Sequence, residues 1–320
     1  MSWKLYVLGS NSAVPTLHRY PSGQVLNIGR ESIMIDCGEG SQLRMLEYGI
    51  KNSRINTILI SHLHGDHIYG LPGLLTSYNL YNRRNPLRIF GPQGIRDYVT
   101  LTMEITKHQF TYPIDFFELT HTGSLPVFEN DEIQISAFPL IHRIPTYGYK
   151  IAEKINRPYL SKEKVKSLGL NNDQIQRIIK GEKVKIGNQY FQLADIERSP
   201  TPNSYAYVSD TAYFPKCGDL IGRVRLLYHE ATFLDSEQKQ AVERYHSTAT
   251  EAARTALRAP ADHLLLGHYS SRYTDIQLFK KEAEKVFKPV SLARSGKVFT
   301  IPQEGEILEE IRSAGEKYEL

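Results

Sequence analysis

Apolar positions along this chain fall into two alternating periods. Strand-type runs occupy 3–9, 24–36 and Ile55-Asn56-Thr57-Ile58-Leu59-Ile60, the last with the length and β-branched content of a buried strand. Between the second and third runs, Leu43, Leu46 and Ile50 recur at helical spacing and predict a helix. Leu71-Pro72-Gly73-Leu74-Leu75 opens another, Leu87-Arg88-Ile89-Phe90-Gly91-Pro92 is a strand with a Gly-Pro stop, and a helix over roughly 93–105 follows. The run from Ile133 to Leu140 leads straight into Ile141-His142. Beyond residue 200 the alternation resumes, with a strand from Tyr205 ending in the carboxylate Asp210, the segment Leu226-Leu227-Tyr228-His229-Glu230-Ala231-Thr232, and a strand from Leu264 that delivers His268. A Thr248/Glu251 capping box starts one helix there, and Thr274 with Gln277 caps the next. Strand–helix–strand order with polar residues following the strands predicts an α/β layered fold whose site gathers at strand carboxyl ends.

Residues 150–198 interrupt this pattern. From 150 to 185 there are ten basic residues and four acidic ones, a local excess of +6 against a net +4 for the whole chain. The remainder is therefore slightly acidic. Two short helices are predicted, one around Ser161-Lys162-Glu163-Lys164-Val165-Lys166 and one from Asn172 ending at Gly181. A charge run is often only a solvated helical hairpin. A sign imbalance confined to one small insertion instead favours a phosphate-binding arm, with Lys162, Lys164, Lys166, Arg177, Lys180 and Lys183 as candidate contacts. The predicted organisation is one domain from 1–149 and 199–320, with 150–198 inserted.

The candidate chemistry sits directly after the third strand, in Ser61-His62-Leu63-His64-Gly65-Asp66-His67. Histidines at i and i+2 of an extended segment point the same way, so His62 and His64 can hold one metal ion. Gly65 is expected to provide a sharp turn, after which Asp66 and His67 aim at a second ion. Nitrogen and carboxylate donors without cysteine suit Zn²⁺ best, and Mn²⁺ or Fe less well. Of eleven histidines, seven (62, 64, 67, 142, 229, 246 and 268) lie at strand ends or helix starts. His18, His108, His121 and His263 look incidental. Asp36 and Asp210 also end strands, and for Asp36 a plain turn-forming role stands as the alternative.

Composition narrows the class without choosing a function. At 41% apolar and 23% charged residues over 320 positions, the chain reads as a soluble globular protein. No apolar run approaches the length of a membrane span, and the first residues read as a strand rather than a secretory signal. Cys37 and Cys217 make no disulfide framework, so a reducing cytoplasm is expected.

The S-H-L-H-G-D-H stretch resembles the signature of the metallo-β-lactamase fold, which implies an αββα four-layer sandwich. Further segments narrow the resemblance: Asp36-Cys37-Gly38-Glu39-Gly40, Gly70-Leu71-Pro72-Gly73-Leu74, His229-Glu230-Ala231-Thr232, His246-Ser247-Thr248 and His268-Tyr269-Ser270-Ser271-Arg272-Tyr273. Together, and in this order, they look like the ribonuclease Z (tRNase Z) family of tRNA 3′-processing endonucleases. The resemblance implies two zinc ions per subunit. His62, His64 and His142 would bind the first ion and Asp66, His67 and His268 the second, with Asp210 bridging. It also implies Asp36 behind the metals as hydrogen-bonding support, and Asp66, Glu230 and His246 as catalytic groups. Asp66 would orient or deprotonate the attacking water. His246, held by Glu230, would stabilise the phosphorane or protonate the leaving 3′ oxygen. It implies further that 150–198 grips precursor tRNA and that the protein is a cytoplasmic homodimer. The family's first loop, P-x-K-x-R-N, is here Pro15-Thr16-Leu17-His18-Arg19-Tyr20. Arg19 remains a candidate RNA contact, and handling of CCA-bearing tRNA is left open by the lost Lys and Asn. The arm also has Asn171-Asn172-Asp173 where the family usually has a Gly-Pro pair. Two rivals remain: a small-molecule hydrolase such as a cyclic-nucleotide phosphodiesterase or lactonase, and a non-catalytic RNA-binding scaffold.

Overall fold

A computed structural model describes residues 2–17, 19–155, 159–198 and 201–311. His18, and Arg157 among the ten basic residues counted from 150 to 185, lie outside the described residues. Eight strands form one sheet, in the order Leu308–Ile311, Lys297–Ile301, Trp3–Gly9, Gly23–Asn27, Ser32–Cys37, Ile55–Leu59, Leu87–Pro92 and Ile114–Leu119. Seven form the other, in the order Val290–Leu292, Ala261–Gly267, Val224–Glu230, Ser204–Val208, Tyr147–Glu153, Ile133–Pro139 and Leu125–Glu129. The sheets face each other across a core that includes Leu5, Ile33, Ile35 and Leu59 from the first and Ile135, Ile151, Tyr205, Tyr207, Leu226 and Tyr228 from the second. Helices Ser41–Glu47, Leu71–Leu80 and Ile95–Ile105 cover the outside of the first sheet, packed on Met34, Ile58 and Ile89. Helices Lys216–Ile221, Ala249–Arg258 and Gln277–Ala283 cover the second, packed on Ala206, Leu227 and Leu264. The result is a four-layer αββα sandwich.

The strand Ser32–Cys37 shows why its apolar run is unbroken. Ile33 and Ile35 point at the opposite sheet while Met34 and Cys37 meet helices, so both faces are dry. Each such side chain removed from water contributes about 1.5–3 kcal/mol. From the middle of each sheet to one edge the strands run parallel, from Ser32–Cys37 to Ile114–Leu119 in one and from Ser204–Val208 to Val290–Leu292 in the other. Parallel pairing puts consecutive carboxyl ends side by side, which assembles the site. No helix among the described residues is long and apolar enough to cross a membrane.

Three local expectations change. The helix Ser41–Glu47 buries Ser41 and Met45, followed by Tyr48, whereas Leu43 is 63% exposed. A seven-residue helix offers two apolar stripes, and Gly40, at φ 82°, sets the rotation that turns Met45 to the sheet. The last helix is Gln277–Ala283, and its first N–H is met by Asp275 Oδ1 at 2.9 Å rather than by a Thr274/Gln277 box. Third, the strand Tyr147–Glu153 continues through the expected boundary at 150. Lys150 pairs with Ser136 and Ala206, and its ammonium donates to the carbonyls of Ile221 and Arg223, so it belongs to the sandwich.

The excursion leaves the sheet after Glu153 and returns at Ser204. It carries helices Lys162–Ser167 and Asn172–Ile179 and small strand pairs around a core of its own, Ile178, Val184 and Ile196. Ser161 caps the first helix and an Asn171/Gln174 capping box starts the second.

Candidate metal centre

The turn after Ile55–Leu59 carries His62 and His64, and the short helix Gly65–Ile68 carries Asp66 and His67. His142 lies in the loop after Ile133–Pro139, Asp210 just past Ser204–Val208, and His268 just past Ala261–Gly267. His268 and Asp36 both take left-handed backbone, at φ 60° and 53°. Strained non-glycine residues of this kind persist only where the surroundings over-determine them.

These side chains form two adjoining donor sets, His62/His64/His142/Asp210 and Asp66/His67/His268. Within the first, His62 Nε2 is 3.1 Å from His64 Nδ1, and His142 Nε2 is 3.3 Å from the same atom. Within the second, His67 Nε2 lies 3.3 Å from His268 Nε2 and 3.5 Å from Asp66 Oδ2. Asp210 serves both sets. Its Oδ2 is 3.6 Å from His62 Nε2, and its Oδ1 is 3.2 Å from His268 Nε2 and 3.5 Å from His67 Nε2.

The donors fit a pair of four-coordinate cations on three grounds. Ligands at about 2.05 Å from a tetrahedral ion stand about 3.3 Å apart, the spacing observed. The remaining ring nitrogens are occupied elsewhere: His67 Nδ1 by Asp36 Oδ2 (2.7 Å), His142 Nδ1 by the Tyr245 carbonyl (3.0 Å), His268 Nδ1 by Thr232 Oγ1 (3.0 Å) and His62 Nδ1 by Ser61 Oγ (3.0 Å). That leaves the Nε2 lone pairs of these four facing inward, as a metal requires, while His64 turns Nδ1 to the site. Finally, Asp210 Oδ1 is buried with no hydrogen-bond partner, an arrangement that a cation resolves.

Electrostatics agree. Burial and the neighbouring imidazoles hold His62 well below its ordinary pKa, so it presents a neutral ring. His67 is buried too, which disfavours its charge. The carboxylates of Asp66, Asp210 and Asp36 nevertheless outweigh burial and drive its pKa well up, marking a place where positive charge is wanted.

Asp36 is fully buried and caps no helix. Its Oδ1 accepts from Ser61 N (2.7 Å), and its Oδ2 accepts from Ser61 Oγ (2.9 Å), Tyr207 OH (2.7 Å) and His67 Nδ1. Glu230 is equally enclosed, accepting from the N–H groups of Thr211, Ser247 and Thr232, from Thr232 Oγ1, and from His246 Nδ1 at 3.0 Å. Burial opposes the charge on both members of the Glu230–His246 pair. Their mutual attraction prevails, lowering the carboxyl and raising the imidazole. The His246 ring lies 5.3 Å from that of His142 and 5.6 Å from that of His268.

Other expected residues stand apart. His229 is buried with Nδ1 on the Glu230 carbonyl (2.7 Å), outside both donor sets. Strand alternation sends it to the face opposite Glu230. Arg19 donates to the Tyr273 carbonyl at 3.0 Å. In the inserted segment Lys162, Lys164, Lys166, Arg177, Lys180 and Lys183 are exposed, although Arg177 pairs with Glu182 (2.7 Å) and Lys164 reaches the Glu197 carbonyl (3.3 Å). Sequence reasoning gave no role to Ser61, Thr232, Tyr207 or the Tyr245 carbonyl. Ser61 and Thr232 lie inside the quoted motifs and were findable there; a backbone carbonyl carries no sequence signal. Gly65 also differs from expectation. Its φ is not positive, and what it supplies is room: a Cβ there would stand 2.1 Å from Tyr69 Cε2.

Ribonuclease Z of Porphyromonas gingivalis is 37% identical over 298 residues, covering 91% of this chain and 97% of that protein. The chain belongs to the ribonuclease Z family. Ribonuclease Z of Cytophaga hutchinsonii is 38% identical over 308 residues, covering 94% and 97%. Among solved structures, the short form of human tRNase Z matches at a TM-score of 0.70 and 28% identity, covering 93% of this chain and 99% of that one. The metallo-β-lactamase fold protein YhfI of Bacillus subtilis matches at 0.67 and 19%, covering 94% of this chain and all of that one, a likeness of fold. The family model described as anti-Pycsar protein Apyc1 matches residues 3–160. That span includes the histidine stretch and ends inside the inserted segment. Ribonuclease Z relatives match through the second half as well, where Glu230, His246 and His268 lie.

Proposed function

We propose that this chain is a zinc-dependent endoribonuclease that removes the 3′ trailer from precursor tRNA, leaving a 3′-hydroxyl on the tRNA and a 5′-phosphate on the trailer. His62, His64, His142 and Asp210 would hold one zinc ion, and Asp66, His67, His268 and Asp210 a second. Bound there, the ions supply Lewis-acid charge to the phosphate oxygens and acidify water. Asp66 orients the attacking water and takes up its proton. His246, fixed through Nδ1 by Glu230, presents Nε2 to the substrate. It stabilises negative charge on the phosphorane and delivers a proton to the departing 3′ oxygen as the P–O3′ bond breaks. Asp36 holds His67 in the tautomer that turns Nε2 inward.

The Glu230–His246 pair carries this reading. A buried carboxylate with five donors fixes one imidazole beside both donor sets and favours its charged form, which suits a reaction that must protonate a poor leaving group. The exposed lysines of the inserted segment supply the phosphate-binding charge. The reading also takes the enzyme to be cytoplasmic and a homodimer, and light scattering of the purified protein tests the dimer.

The decisive experiment incubates purified protein with 3′-extended tRNA transcripts, with and without CCA, and maps the cut. Cleavage that is abolished by a chelator and restored by zinc supports the reading. Failure to cut any transcript while hydrolysing bis-p-nitrophenyl phosphate would move the protein to the small-molecule hydrolases.

A further inference from the structure

Beside the metal ligands lies a recess of about 450 Å³ that the steps above do not use. Its floor is the ligand stretch His64–Asp66, and its walls are Pro15 and Pro21 of the first loop, Glu39 and Tyr69. The tyrosine is set there by Gly65. A Cβ on Gly65 would stand 2.1 to 2.7 Å from three carbons of the Tyr69 ring, so the ring rests against the backbone between His64 and Asp66. Yet Tyr69 is 66% exposed. One part of the ring is covered and the rest is open, directly beside the reacting centre.

The opposite wall is also pre-formed. The Ala13 N–H donates to Asp66 Oδ2 at 2.8 Å, and within the loop Thr16 N donates to the Arg19 carbonyl at 2.8 Å. These contacts hold the loop around Pro15 against Asp66, with Pro15, Pro21 and Tyr69 lining the same recess. Charge then says what fits. Among the described residues no lysine or arginine lines the recess, so it is not built for phosphate. Apart from the ligands its one charged group is Glu39, which is exposed and makes no hydrogen bond or ion pair among the described residues. A flat, uncharged group bearing hydrogen-bond donors suits an aromatic platform, two proline faces and an acceptor-only carboxylate.

We propose that this recess is a nucleobase subsite: the base on one side of the scissile phosphate stacks on Tyr69, and Glu39 accepts hydrogen bonds from its Watson–Crick edge. The inference rests on the endoribonuclease reading above. Guanine is the favoured occupant, because N1–H and N2–H₂ present two adjacent donors. Adenine and cytosine offer one donor beside an acceptor. Uracil places two carbonyl oxygens around its single N–H, and these repel a carboxylate.

The test uses two sets of four precursor tRNA transcripts. One set varies the last base of the tRNA and the other the first base of the trailer, and each is cleaved by wild type, Glu39→Gln, Tyr69→Phe and Tyr69→Ala. Wild type should prefer guanine in one set, which identifies the side occupied. Glu39→Gln should reduce that preference about tenfold. Tyr69→Ala should raise KM about tenfold for every base, with Tyr69→Phe close to wild type. The preference is a ratio between transcripts cut by the same protein, so a smaller folded fraction leaves it unchanged. Wild type without base preference in either set, an unaltered preference in Glu39→Gln, or an unaltered KM in Tyr69→Ala would overturn the subsite. Absence of any cleavage by wild type would instead overturn the reading it rests on.

Discussion

Replacing Asp36 with Asn tests whether that residue sets the protonation of a ligand or merely fills space. The carboxylate accepts four hydrogen bonds in a fully buried position, three of them on Oδ2. Asparagine keeps one acceptor, which Ser61 N retains. Its NH₂ replaces Oδ2 and now confronts Ser61 Oγ, Tyr207 OH and His67 Nδ1. The hydroxyls can turn and accept. The imidazole can accept only by moving its proton from Nδ1 to Nε2, the atom that faces Asp66 and His268. A hydrogen bond to a charged group is worth about 1.5–3 kcal/mol, and turned hydroxyls recover part of the loss, so stability should fall by about 2–4 kcal/mol. Because the second donor set loses a lone pair, its metal affinity should fall about 10–100-fold while the first is little changed. Tyr207→Phe is the control. It removes one bond to the same oxygen at a cost of about 1–2 kcal/mol and leaves the His67 tautomer alone. Urea denaturation of metal-free protein reads the stability. Zinc titration against a chromogenic chelator reads the number and affinity of ions. If Asp36→Asn were destabilised like Tyr207→Phe yet bound two ions with wild-type affinity, the tautomer argument would be wrong.

Gly65→Ala should cost at most about 1 kcal/mol, because its Cβ would push aside the Tyr69 ring, which is 66% exposed and can swing to another rotamer. In a Tyr69→Ala background the same substitution should cost far less, and additive losses in denaturation midpoints would contradict the contact. His263 is an acid-sensitive group away from both donor sets. Burial holds its pKa down to about 4, with Glu309 opposing and Lys280 assisting. The stability from its neutral ring is therefore complete above the unfolded value near 6.5 and is lost as pH falls from there toward 4, on the order of 3 kcal/mol in all. Metal-free His263→Gln should show a flatter decline over that window, and an identical slope would count against the assignment. Reversing Lys162, Lys166, Lys180 and Lys183 to Glu should weaken precursor tRNA binding and flatten its salt dependence in filter-binding assays. If the salt slope stayed the same, the inserted segment would not be the phosphate-binding arm.

Much of this protein is legible from its residues in order. His62, His64, Asp66 and His67 lie within six positions after an apolar strand, so local chain geometry alone brings their donors together. The Thr248/Glu251 and Asn171/Gln174 caps are equally local, since they close within one helical turn. The spacing of Leu43, Leu46 and Ile50 located a helix but not the face it buries. A helix of two turns has too little sequence to say which face a sheet will cover, and the sheet chose Met45.

Long-range pairing decided the rest. Strand order in the second sheet, not spacing in the chain, places Asp210 with one oxygen toward His62 and the other toward His67 and His268. Likewise only the folded chain brings the Tyr245 carbonyl to His142, Asp36 to His67 across 31 positions, and the Tyr69 ring onto Gly65. Side-chain types and their spacing determine which donors the chain can offer. The protons they carry, the faces they turn and the recess beside them depend on contacts between residues far apart in sequence, and only tertiary packing supplies those.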